Sequence, residues 1–84
     1  MDISLADAGH ILHCAILDAM KMFIRQVGMQ PKFITLPQRA ADLLAHFADA
    51  DHKGGNVIRV NKMYLGMPLT IGSDFELRLV ERKA

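Results

Sequence analysis

His10, His13 and Cys14 sit close together in one predicted helix, and their types suggest chemistry more directly than any others in the chain. His10 and Cys14 stand at i, i+4, a spacing that can supply two positions of a metal ion's coordination shell. A closed structural zinc site takes four ligands, and the other two histidines, His46 and His52, lie on or beyond a different predicted helix. No metal and no cofactor is therefore expected. Cys14 beside His13 does not make a nucleophile and base, because adjacent helical residues point about 100° apart. His10 can reach Cys14, but no oxyanion donors and no third orienting group accompany the pair. The expectation is a protein that is not an enzyme, with no catalytic residues.

Two glycine- and acid-rich stretches can be set aside on spacing. Gly54-Gly55-Asn56 runs from a helix toward a strand, whereas a phosphate cradle runs from strand to loop to helix. Asp49-Ala50-Asp51 has no downstream glutamate at calcium-loop spacing and reads as a helix end, offset by His52 and Lys53. A third grouping is more suggestive. Arg59, Arg78 and Arg82 can share the exposed face of a sheet, with Lys62 or Lys53 at its rim and Tyr64 nearby, and these four, Arg59, Arg78, Arg82 and Tyr64, form the expected partner-binding surface. Nucleic acid is one partner such a surface can take. Against it stand a formal net charge of +1 and the absence of tryptophan to stack on bases. From Lys53 onward six basic residues face three acidic ones, a mild local bias.

The elements that must position these residues follow from length and periodicity. With 84 residues, one domain spanning 1–84 is expected, and 51% hydrophobic against 23% charged residues is a globular composition. One cysteine permits no internal disulfide, Asp2 and Asp7 occupy positions where a signal peptide carries positive charge, and no apolar run reaches the ~18 residues of a membrane span. A soluble, cytoplasmic protein with no membrane partner is the expectation. Residues 4–27 read as one long helix, capped by Ser4 with Asp7 three residues on and closed at Gly28. Lys32-Phe33-Ile34-Thr35 reads as a short strand. Thr35 and Gln38 have capping-box spacing before a second helix striped by Ala40, Leu43, Leu44, Phe47 and Ala48, with Pro37 in its first turn.

Beyond Asn56 the period becomes two. Val57 to Tyr64 reads as an extended segment, Gly66 and Pro68 as a bulge or kink, Met67 to Ile71 as a strand, and Gly72-Ser73-Asp74 as a turn. Phe75, Leu77 and Leu79 alternate with Glu76, Arg78 and Val80, as in a strand with one face on a core. The predicted fold is α+β, in the order α-β-α-β-β-β. The long helix spans 1–28 and a β-α-β-β-β unit spans 32–84, ending in a three-stranded antiparallel meander with both helices on one face.

The first helix carries more apolar surface than one sheet can cover. Its hydrophobic residues spread over more than half the circumference, whereas packing on a single sheet needs a stripe of about 100°. A second copy of the chain is the expected cover. Leu12, Ile16, Met20 and Phe23 are the expected self-association residues, with Ile11 and Met22 at the edge of the face also at an interface. Six methionines suit both irregular cores and adaptable surfaces.

The run Tyr64-Leu65-Gly66-Met67-Pro68-Leu69-Thr70-Ile71, followed by Asp74, resembles a phrase that recurs in bacteriophage-encoded proteins, near the end of capsid subunits and in short open reading frames. Phe33-Ile34-Thr35-Leu36-Pro37 is similar to those short phage proteins too. The chain is far shorter than a capsid subunit. What the resemblance implies is a small phage accessory protein, including the kind that binds and blocks a host CRISPR or other defence complex in the host cytoplasm. The expected function is thus a non-enzymatic protein-interaction module, a homodimer with a host protein as partner. A small nucleic-acid-binding regulator and a homo-oligomeric phage structural accessory protein are the alternatives.

Overall fold

The computed structural model describes residues 4–52 and 54–80, in the order α1 (Leu5–Val27), β1 (Phe33–Leu36), α2 (Gln38–His52), α3 (Gly55–Arg59), β2 (Met63–Tyr64), β3 (Met67–Ile71) and β4 (Glu76–Arg78). The ends of α1 are where the sequence predicts them. The Ser4 hydroxyl accepts from the Asp7 N–H at 3.1 Å, and Gly28, at φ 86°, adopts the left-handed conformation that lets its N–H close onto the Ile24 carbonyl at 2.8 Å. Twenty-three helical residues at about 1.5 Å each make α1 nearly as long as the 38 Å molecule.

α1 packs chiefly on α2. The contact is set by Gly9, which is buried: a Cβ there would lie 2.1 Å from the Leu43 carbonyl oxygen and 2.7 Å from the Phe47 Cβ. A mid-helix glycine costs backbone entropy, and the close approach of two helix backbones is what it gives in return. The core then gathers Ile16 from α1, Ala41, Leu44 and Ala45 from α2, Ile58 from α3 and Ile34, Leu36, Tyr64, Met67 and Leu69 from the strands. Ile34 and Leu69 are register partners on one face of the sheet, so that face lies against the helices.

The sheet is four-stranded and mixed, in the order β2-β3-β1-β4, and this corrects the expected meander. β1 lies in the middle, parallel to β3 (Ile34 opposite Leu69) and antiparallel to β4 (Ile34 opposite Leu77). β3 and β4 are close in sequence but sit on opposite sides of β1. The connection passes over the end of β1 at Gly72, whose N–H donates to the Leu36 carbonyl at 2.9 Å and where a Cβ would meet the Thr35 Cγ2 at 2.7 Å. A buried central strand satisfies backbone groups on both edges, which a three-residue hairpin beside a separate β1 would leave open.

Three local expectations also change. Residues 55–59 are helical instead of extended, because the Asp49 carboxylate accepts from the Gly55 N–H at 2.8 Å and from Arg59 Nη1 at 2.7 Å, folding the chain back on α2. Arg59 holds the Asp49 carboxyl below its ordinary pKa. Only Ile58 of the β-branched pair is buried; Val57 is 48% exposed. The capping box does not form: Thr35 lies in β1, its hydroxyl accepts from Arg78 Nη2 at 3.0 Å, and Gln38 Nε2 donates to Asp42 instead. Pro37 stands just before α2 and lends its carbonyl to the Ala41 N–H. Of Phe75, Leu77 and Leu79, Leu77 packs against the core from the short β4, whereas Phe75 is 42% exposed.

Gly66 is not a bulge within a strand. Leu65 (φ 51°) and Gly66 (φ 79°) form the two-residue loop joining β2 to β3, both at the positive φ that a type I′ hairpin turn requires. Leucine is poorly suited to that conformation. Replacing Leu65→Asn should raise the unfolding free energy by about 0.5–1 kcal/mol, measured by denaturant titration. Gly9→Ala has the opposite sign: despite its better helix propensity it should cost about 1–3 kcal/mol by forcing α1 off α2. An unchanged midpoint for Gly9→Ala would contradict the tight helix contact.

Candidate functional site

α1 presents two flanks on either side of its core-facing stripe, and the candidate functional residues divide between them. One flank carries His13, 220° around from position zero at about 100° per residue, and the other carries Ile11, Ala15 and Met22.

On the first flank, the His13 ring meets the Tyr64 hydroxyl through Nδ1, stands edge-on to the Tyr64 ring (centroids 5.9 Å, 85°) and lies 5.2 Å from the Phe47 ring. His10, one turn earlier, stacks on Phe47 at 5.2 Å and 28°, and its Nε2 lies 3.6 Å from the Cys14 Sγ. Phe47 of α2 thus gathers both histidines. The three residues are drawn to different partners, and among the described residues no group of three His, Cys, Asp or Glu side chains converges on one point. His10 reaches Cys14 as the spacing predicts, and the thiol is exposed. The side chain of His52 lies outside the described residues.

Tyr64, expected to face a partner, points inward and is 6% exposed. β2 contributes two residues, and their alternation turns Tyr64 to the core while Met63 is half-buried. Burial pushes the phenol well above its ordinary pKa, with the nearby Cys14 adding to the effect. The neutral hydroxyl and His13 Nδ1 share one hydrogen bond, whose donor is set by the imidazole tautomer.

Arg59 and Arg78 are each engaged within the chain and do not form one exposed patch. Arg59 is paired with Asp49. Arg78 has a side chain only 10% exposed, lies over Thr35 on the sheet face away from the helices, and stands 3.9 Å from a Glu76 carboxylate oxygen. Arg82 and Lys53 lie outside the described residues.

The four expected self-association residues lie on the core-facing stripe between the flanks: Leu12 and Met20 pack partly against the core, Phe23 is half-buried, and Ile16 is 2% exposed and belongs to the chain's own core. Ile16 therefore cannot meet a second copy in this fold. Ile11 and Met22, at the edge of the face, are 59% and 49% exposed. Beside them runs a shallow groove between α1 and the start of α2. Its two lobes, of about 460 and 310 Å³, share Leu12, Ala15, Pro37 and Ala40; Ile11 and Leu43 line one, Ile16, Leu36 and Phe75 the other. Arg39 is the only charged residue bordering either lobe among the described residues. Ile11 and Met22, expected at the edge of the face, are exposed, and Ile11 lines the groove; the contribution of Pro37, Ala40 and Phe75, which come from elements far apart in the chain, has no signal in the sequence.

Comparison with protein-family models, curated proteins and solved structures found no match to this chain. Among the described residues, no helix is long and apolar enough to cross a membrane.

Tyr64 is the one tyrosine, and there is no tryptophan, so its ionisation can be followed without interference. Because its folded pKa is raised, the neutral phenol contributes stability that is complete below the unfolded value near 10 and is lost as pH rises beyond it. A spectrophotometric titration should show no tyrosinate band at the pH where free tyrosine is half ionised, with the band appearing together with alkaline unfolding. Ordinary titration in the folded chain would contradict the buried placement.

Proposed function

We propose that this chain is a non-enzymatic protein-interaction module that associates with a second copy of itself through the flank of α1 bearing Ile11, Ala15 and Met22 and the adjoining groove. The observation that carries this is the groove itself, a continuous apolar surface lined from both helices and from Phe75. An apolar groove flanked by the exposed Ile11 and Met22 marks a candidate contact surface.

In an antiparallel pairing of α1 with its mate about a two-fold axis, the two helix dipoles oppose favourably. The phage-type inhibitor implied by the resemblance of residues 64–71 names a class of further partner, a host defence complex. Those residues are used in a hairpin turn and the core, so the groove alone supports self-association. The nucleic-acid alternative has less support, since Arg59 and Arg78 are engaged within the chain.

Light scattering on the wild-type chain should give twice the 9.3 kDa monomer mass. Ile11→Glu and Met22→Glu, at exposed positions, should each give a folded monomer with an unchanged helical circular-dichroism signal. Ile16→Glu is instead expected to unfold the chain, because it puts a charge into the core. A monomeric wild type at the highest soluble concentration rejects self-association, and a low-salt gel shift with DNA or RNA would favour the alternative.

A further inference from the structure

A second concavity lies on the opposite flank of α1, between α2, α3 and β2, with a volume of about 380 Å³. Its walls include Phe47, Ile58, Met63 and Leu65, and its polar side chains are His13 and Tyr64. None of the described lining residues carries a formal charge at neutral pH beyond what His13 can take up. It is mainly apolar, with two polar groups brought to one wall, the general form of a small-molecule site.

Its polar wall has capacity to spare. In the His13–Tyr64 pair one hydrogen bond is made, through Nδ1. With either imidazole tautomer the pair keeps one further donor and one further acceptor, divided between Nε2 and the phenol hydroxyl, so it can both give and take one further hydrogen bond. The backbone around it supplies an independent sign. Lys62 (φ 56°) and Leu65 (φ 51°), both non-glycine residues in the left-handed region, bracket the two residues of β2. Leu65 also lines the cavity, 44% exposed at its mouth. Asparagine or glycine would serve the turn better, whereas a leucine held there places an apolar side chain on the cavity. Strained residues of this kind concentrate at ligand sites.

We infer that this cavity binds a neutral, planar aromatic small molecule bearing one hydroxyl group, with the ring against Phe47, Met63 and Leu65 and the hydroxyl on the His13–Tyr64 pair. The volume accommodates a two-ring system. An anion is disfavoured because no lysine or arginine among the described lining residues offsets its desolvation. The site is separate from the self-association groove and does not depend on it.

The test is an amide NMR titration of the full chain with naphthol, in parallel with naphthalene and naphthalenesulfonate. Naphthol should produce saturable shifts centred on Phe47, Val57, Tyr64 and Leu65. Naphthalene should bind a few-fold to about tenfold more weakly, the loss expected for one hydrogen bond, and naphthalenesulfonate should not saturate the site. Tyr64→Phe should abolish the preference for naphthol over naphthalene. Should that variant fail to fold, Val57→Trp at the exposed rim should block the cavity and remove the shifts, and Leu65→Asn should weaken binding while stabilising the fold. Monomeric Ile11→Glu should bind naphthol as the wild type does, which keeps this test apart from the dimer test. No saturable shift, equal affinity for naphthol and naphthalene, or shifts centred on Ala15 and Ala40 would each overturn the assignment.

Discussion

The approach of α1 to α2 at Gly9 is the constraint on which the other contacts rest. With no side chain between the Gly9 backbone and the Leu43 carbonyl, the two helices meet at the closest range their backbones permit. That fixes both the separation and the rotation of α1. Ile16, two turns further on, is thereby delivered into the core, and His10 and His13 are laid over Phe47. The same rotation leaves Ile11, Ala15 and Met22 facing outward. A helix rotated by a quarter turn would bury a different set and open neither the groove nor the cavity in its present form.

The two concavities differ in chemistry because different elements close them. The groove is bounded by helix surfaces and by Phe75 at the start of the last strand, and it offers almost nothing to hydrogen-bond. The cavity is closed by β2, which carries Tyr64 inward to His13. Dry, shallow apolar surface suits another protein surface, since shape and burial are what such contacts exploit. A hollow with a donor and an acceptor on one wall suits a smaller molecule that must be oriented.

Local signals in the chain spoke clearly, and distant ones did not. The caps of α1, the apolar stripe of α2 and the excess breadth of α1 are short-range patterns, and the structure follows them at Ser4, Gly28, Leu44, Ile11 and Met22. The position of β1 inside the sheet was not legible. Nothing in Phe33–Leu36 distinguishes an edge from a centre except its run of three buried residues, and a four-residue run is too short to show it. Residues 55–59 misled because Val57 and Ile58 favour strands, while the decisive contact is the Asp49 carboxylate on the Gly55 N–H. Gly9 passed unremarked because a lone glycine within a helical pattern does not reveal what lies opposite it. The inward turn of Tyr64 is hidden for a related reason: in a strand of two residues, alternation alone cannot say which face is covered.

The central place of β1 has a consequence for how far apart in the chain its partners lie. β1 precedes α2, yet the strands that pair with its two edges are β3 and β4, the last elements described. Neither edge of this apolar strand closes through a local hairpin, and both stay open until residues 67–78 are in place. The contact of α1 with α2 needs nothing beyond α2, so the helices and the sheet are built on contacts of different range. The sheet is complete only when β4 closes the far edge of β1.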